Sequence, residues 1–168
     1  MYQNFEQNIK YLNDTLRVDS SFDIVNREIL IGERNAVFYF VDGFCKDELM
    51  QKLLQFLMGI KKEDMPQNAN EMNKIIPTVE VESTDDFNKI IDGVLCGMFA
   101  IIIDGYDECI LIDSRTYPAR GVSEPEKDKV LRGSKDGFVE TVVFNTALIR
   151  RRIRSADLRM EMLNAGKE

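Results

Sequence analysis

The side chains that most often carry catalysis are scarce in this 168-residue sequence. Histidine is absent, and with it the commonest general base and the commonest transition-metal ligand. The cysteines stand at wide spacing in apolar surroundings, which fits reduced core thiols better than a disulfide framework or a zinc site: Cys45, Cys96 and Cys109. Carboxylates are plentiful, but nothing beside them completes a catalytic set. We therefore expect no enzymatic activity, and no cofactor or metal is implied.

One glycine-containing loop has the composition of an anion-binding turn. Residues 132–137 read RGSKDG and precede a predicted helix, whose first backbone N–H groups could hold a phosphate beside Arg132 and Lys135. The Walker spacing is absent, and Asp136 would itself occupy the helix N-terminus as a cap. The pattern favours a structural turn, and a phosphate-using enzyme stays as a remote alternative.

The strongest electrostatic feature is a run of arginines near the end of a predicted helix: Arg150, Arg151, Arg152 and Arg154. Residues 1–113 carry a net charge of −11, whereas residues 114–168 carry +4. A solvated helix end explains the run as well as a contact with a partner subunit or a membrane surface does. On a helix Arg150 and Arg154 share one side, whereas Arg151 and Arg152 point elsewhere, so the four cannot all face one partner. At least one of them should instead anchor the helix to the domain's own carboxylates. The acidic balance disfavours nucleic acid.

Asn145 lies in the same predicted helix, in a row with the apolar residues Phe138, Val142 and Ile149. An amide in such a row is either satisfied within its own domain or hydrogen-bonded across an interface to another helix. The sequence leaves both alternatives open, so we include Asn145 among the candidate interaction residues.

Two predicted β-hairpins set the architecture that positions these residues. The first joins residues 22–31 to residues 35–41, and the second joins residues 98–103 to residues 109–113 through Asp104 and Gly105. The run 98–103 is almost wholly apolar, which is typical of a strand covered on both faces. We therefore predict an α/β fold with a mixed central sheet built from two hairpins and covered by helices.

Hydrophobic periodicity predicts the covering helices. Residues 1–20 form an N-terminal helix or a docking arm, and residues 21–168 form a single α/β domain. Further helices are predicted at residues 46–58, at 70–76, from a cap at Ser83 or Thr84 with Asp86 in a capping box to Gly97, at 126–131, from Lys135 or Asp136 to about Arg152, and from Ser155 toward Leu163. The longest apolar run, residues 94–103, is too short to cross a bilayer.

Residues 113–154, which read DSRTYPARGVSEPEKDKVLRGSKDGFVETVVFNTALIRRRIR, resemble the signature segment of the GerA family of spore germination receptor A subunits. The likeness extends over about residues 20–165. Ser134, where many relatives have proline, together with the segments SRTYPAR and RGSKDGFVE makes the chain most like the stage V sporulation protein AF branch. The motif positions to which we give structural roles are Arg120, Glu124, Pro125, Arg132, Gly133, Asp136, Gly137, Phe138 and Glu140. Glu124 either opens a helix at Pro125 or pairs with Arg120 or Arg132 to lock the turn.

The resemblance implies the first soluble subdomain of a spore inner-membrane protein, facing the cytoplasm, with the membrane region absent from this chain. It also implies homo-oligomeric assembly with other subunits of a germination complex that takes part in ion release. We expect an assembly or signal-transmission domain. The alternative is a small-molecule, germinant-like sensing domain with a pocket between the sheet and residues 115–137, which we expect to be ordered.

Overall fold

A computed structural model describes residues 1–116 and 138–166 of the chain. The strands are β1 (Ile24–Ile31), β2 (Arg34–Val41), β3 (Val81–Thr84), β4 (Phe99–Ile103) and β5 (Cys109–Ile112). The helices are α1 (Phe5–Leu16), α2 (Asp47–Met58), α3 (Ala69–Asn73), α4 (Phe87–Cys96) and α5 (Val142–Arg152). The strands form one sheet in the order β1-β2-β4-β5-β3.

Both predicted hairpins are present, and the predicted α/β class is confirmed. The sheet is not mixed, however, because every pairing among the described strands is antiparallel. The two hairpins are joined through β2 and β4, which pair antiparallel. The edge strand β3, where Ser83 or Thr84 was predicted to cap a helix, pairs antiparallel with β5. The β1–β2 turn consists of Gly32 and Glu33, both with positive φ, which suits the right-handed twist of a two-residue hairpin.

Alternation along the central strands gives the sheet two apolar faces. In β2, Val37 and Tyr39 point to one face, whereas Ala36 and Phe38 point to the other. Strand β4 is buried at all five positions, as its apolar sequence predicted. Helices α1, α4 and α5 contribute to the first core, and α2 and α3 to the second. The domain is therefore a sheet with a helical layer on each side.

The ends of α1 and α4 are set by local hydrogen bonds. Asn4 caps α1 by accepting from the Gln7 N–H, and Leu12 and Leu16 of this helix are completely buried. Residues 1–20 therefore hold a helix packed into the core. Helix α4 is capped by Asp86, which accepts from the Asn88 N–H. This corrects the predicted cap, since Thr84 belongs to β3.

Two predicted helices near the C-terminus differ from the structure. The long helix begins at Val142 rather than at residue 135 or 136, because the Asn145 amide holds both backbone polar groups of Val139. Residues 155–163 are not helical, since their backbone groups bond to Arg150, Ser21 and Phe22. The predicted helix at 126–131 and the expected order of residues 117–137 lie outside the described residues.

Candidate interaction site

Helix α5 carries the arginine run and packs against the sheet through a close approach to Gly43. A Cβ atom built on Gly43 would lie 3.0 Å from Val143 Cγ1 and 3.2 Å from the Ala147 Cβ atom. Ala147 is buried in the core formed with α1 and α4. The first half of α5 therefore packs closely on Gly43 through Val143 and Ala147, and its C-terminal half carries Arg150, Arg151 and Arg152.

Arg150 lies completely inside the domain. Its Nε donates to Asp23 Oδ2 at 2.7 Å, and its Nη2 donates to Asp23 Oδ1 at 3.0 Å, so the pair is bidentate. The guanidinium also donates to the carbonyls of Ser155 and Leu158, each at 2.9 Å, and to Ser21 Oγ at 3.2 Å. Carboxylate and carbonyl acceptors thus surround the buried cation, which burial of a charge requires.

The structure corrects one part of the sequence prediction. Arg150 and Arg154 were expected to share an outward side, but Arg150 has no exposed surface. It is instead the member of the run that anchors the helix to a carboxylate of its own domain. A partner contact now depends on Arg151, Arg152 and Arg154, which are all exposed, and it stays a prediction.

The exposed arginines gather where two helices end. Arg154 donates to Cys96 Sγ at 3.4 Å and to the Arg151 carbonyl, and Arg152 donates to the Leu148 carbonyl. Cys96 is the last residue of α4, so Arg154 lies at the negative C-terminal end of α4, whereas Arg151 and Arg152 lie in the last turn of α5. We call Arg151, Arg152 and Arg154 the basic patch.

An apolar row on α5 lies beside the basic patch. Val142 is 56% exposed and Ile153, directly after the helix, is 49% exposed, with half-buried Ile149 between them on the same side of the helix. Phe138, which precedes the helix, is 68% exposed. Exposed apolar side chains next to cations are typical of protein contact surfaces.

Asn145 is satisfied within its own domain. Its Oδ1 accepts from the Val139 N–H at 2.7 Å, and its Nδ2 donates to the Val139 carbonyl at 2.6 Å. The amide thereby closes the turn before α5.

Of the motif positions predicted to be structural, Phe138 and Glu140 are exposed. The others lie outside the described residues, as does the anion-binding alternative at 132–137: Arg120, Glu124, Pro125, Arg132, Gly133, Asp136 and Gly137.

The remaining reactive groups are buried or half-buried. The three cysteines form no disulfide, and burial raises the pKa of both Cys109 and Cys45 above the ordinary value. Burial also raises the pKa of Tyr39, whose hydroxyl donates to Asn13 Oδ1 at 2.8 Å. Within residues 1–116 and 138–166, no three His, Cys, Asp or Glu side chains are grouped so that they could hold a metal ion.

Sequence reasoning missed the partners of Arg150. Ser21 and Asp23 are both buried just before β1, and the Ser21 hydroxyl donates to Asp23 Oδ1 at 2.6 Å. A signal was present, because Asp23 stands between Phe22 and Ile24 at the entrance to a strand. A carboxylate in such an apolar position needs a buried cation or several donors.

Both the sequence and the fold of the chain are similar to those of known proteins. The sequence matches the family described as Bacillus/Clostridium GerA spore germination protein over residues 10–168. Stage V sporulation protein AF of Bacillus subtilis (strain 168) is 34% identical over 169 residues, which cover 99% of this chain and 34% of that protein. Spore germination protein KA of Bacillus subtilis (strain 168) is 27% identical over 89% of this chain and 28% of that protein.

A solved structure has the same fold. The N-terminal domain of the A subunit of the Bacillus megaterium spore germinant receptor GerK3 superposes with a TM-score of 0.71 and 24% sequence identity. The match covers 96% of this chain and 59% of that chain. The chain spans about a third of the length of the relatives named above. Among the described helices, none combines the length and apolar character that a bilayer crossing requires.

Proposed function

The chain belongs to the GerA spore germination protein family, and from that premise we propose that it is the assembly or signal-transmission domain of a spore germination membrane complex. The predicted family and the predicted N-terminal domain fold are confirmed. Stage V sporulation protein AF has the highest identity of the relatives quoted above, which agrees with the predicted branch. The role of the chain in assembly or signal transmission is the part that we propose.

The observation that carries the proposal is the basic patch beside the apolar row on α5. Arg151, Arg152 and Arg154 are exposed cations on a chain whose net charge is −7. Single exposed ion pairs contribute only about 0–1 kcal/mol, so a useful contact has to combine several of them with apolar burial. Ile153 supplies apolar surface next to the cations, and the apolar row extends along α5 to Val142 at the start of the helix.

We further propose that the domain works without catalysis. Buried thiols of raised pKa are poor nucleophiles, and the sequence contains no histidine that could activate them. The proposed partners are other subunits of the complex and further copies of the same protein. The proposed location is the cytoplasmic side of the spore inner membrane, where the complex takes part in ion release.

The experiment is co-purification of the full-length protein with its complex from membranes. The variant Arg151→Glu/Arg154→Glu reverses two charges of the basic patch. We expect it to recover much less of the other subunits than the wild type does, and we expect the wild-type yield to fall with rising salt, because exposed charges are screened within about 8–10 Å at 0.1–0.15 M.

The matched control is Lys52→Glu/Lys74→Glu. Lys52 lies in α2 and Lys74 caps α3, so the same charge change falls on the opposite helical layer. This control should assemble like the wild type. Equal loss in both variants would show a general effect of net charge and would contradict the role of the basic patch. A rise in melting temperature with germinant-like small molecules would favour the sensing alternative.

A further inference from the structure

The segment that follows α5 is attached to the sheet mainly by polar contacts. Residues 155–160, which we call the strap, run from the end of the helix past the entrance to β1. Met160 accepts from the Phe22 N–H at 3.0 Å and donates its own N–H to Ser21 Oγ at 3.0 Å. The strap forms no strand ladder with the sheet, and Met160 is its one buried residue.

The strongest of these contacts converge on Arg150. Its guanidinium donates to the carbonyls of Ser155 and Leu158, near the two ends of the strap, while holding Asp23 on the other side. Asp157 of the strap also pairs with Arg17, but both side chains are substantially exposed, so this pair adds little. A single side chain therefore joins the strap, α5 and the start of β1.

The sheet does not depend on the strap for its burial. The two cores on the faces of the sheet are built from α1 to α4 and the five strands, and α5 and the strap add only Ala147 and the partly buried Ala156. Regions with few buried apolar contacts open at lower free energy than the core does. The strap has this character, whereas β4 is completely buried.

From this arrangement we propose that the residues of the strap detach together from the folded sheet, and that the hydrogen bonds of Arg150 set the equilibrium between the docked and the undocked strap. The docked state is the one in the structure, where Arg150 bonds to both strap carbonyls. In the undocked state Arg150 keeps Asp23, and the strap carbonyls bond to water. Detachment of the strap involves only contacts within the chain, so it does not depend on a partner at the basic patch.

The test is amide hydrogen exchange of the full 168-residue chain and its variant Arg150→Lys. Lysine keeps a cation near Asp23 but cannot reach two carbonyls with a planar fork. Hydrogen bonds to charged groups each change an equilibrium by on the order of tenfold, so the exchange of the Met160 and Phe22 amides should accelerate about a hundredfold. Amides of β2 and β4 should stay slower than the strap amides in both proteins, because they exchange only when the whole sheet opens.

The control is Arg159→Lys, the same substitution at an exposed position within the strap, which should leave all these rates unchanged. The variant Ser21→Ala gives an independent reading should Arg150→Lys not fold, because it removes the hydroxyl that accepts from the Met160 N–H and from Arg150 and that donates to Asp23. Since the strap opens as a unit, exchange at both Met160 and Phe22 should accelerate by about tenfold. Unchanged strap exchange in both variants, or strap and sheet amides with the same opening free energy in the wild type, would overturn the proposal.

Discussion

The guanidinium of Arg150 and the carboxylate of Asp23 form a bidentate ion pair, although 127 residues separate them in the sequence. Their side chains are 0% and 1% exposed. Asp23 precedes the first strand and Arg150 lies in the last helix, so the pair joins the two ends of the described chain. A complete buried ion pair of this kind adds little to the free energy of unfolding, but removal of one partner leaves an uncompensated buried charge.

The first prediction concerns this ion pair. Arg150→Met should lower the free energy of unfolding by about 3–5 kcal/mol, because the Asp23 carboxylate stays buried without its cation. Asp23→Leu combined with Arg150→Met should recover most of that loss. Urea denaturation measures the difference, with the exposed Arg159→Met as the control. A loss below 1 kcal/mol for Arg150→Met would contradict the compensation described above.

The second prediction concerns the docking of α5 on Gly43. Gly43→Ala and Gly105→Ala impose similar backbone strain, since φ is +82 and +83, and positive φ costs an alanine about 1–2 kcal/mol. At Gly43 the new methyl also meets Val143 and Ala147, whereas at Gly105 it meets only the end of the Arg34 side chain. Gly43→Ala should therefore be less stable by a further 1–3 kcal/mol or so. Equal melting temperatures for the two variants would refute this packing.

The third prediction concerns the corrected cap of α4. Asp86→Ala should destabilise the domain by about 1 kcal/mol, because the Asn88 N–H loses its acceptor and the helix loses a negative charge at its positive end. Asp85→Ala is a matched control, since it removes the neighbouring exposed carboxylate without touching the Asn88 bond. Thermal denaturation should rank Asp86→Ala clearly below Asp85→Ala, and the reverse order would count against the assignment.

The fourth prediction is a pH dependence at Asp113. The hydrogen bonds from Arg115 lower the pKa of Asp113 below its ordinary value of 3.8. The unfolded chain therefore binds this proton at a higher pH than the folded chain, so stability from Asp113 is present above pH 3.8 and is lost as the pH falls through the lower folded value. Asp113→Asn should flatten the stability curve below about pH 4. Arg115→Gln should do the same, and an unaltered acid limb in both variants would exclude the pair as its source.

The sequence predicted those elements whose burial follows a simple period. The hairpin at β1 and β2 and the helix at α2 were placed within a few residues, because alternation and helical spacing are local signals. Strand β3 was missed since Val81–Thr84 is short and polar, and its identity as a strand depends on pairing with β5. Such pairing depends on tertiary contacts, which a local sequence pattern does not show.

The candidate site was predicted only in part, for a related reason. The arginine run was found, and the expectation that one member would be anchored internally was correct. Which arginine turns inward could not be read from the run, because the choice depends on Asp23 and Ser21 more than 120 residues earlier. The strap was predicted as a helix since Ser155 is a good cap, and contacts with Arg150 outweigh that local preference.

Photo-crosslinking within the full-length protein in its native membrane measures directly whether the basic patch contacts another subunit. A photoreactive amino acid at Ile153 would lie beside the basic patch, and the same residue at Lys74 would lie on the opposite helical layer. We expect covalent adducts with another subunit of the complex, or with a second copy of the protein, from position 153, and fewer of those adducts at high salt. Adducts from position 74 with none from position 153 would contradict the proposed contact.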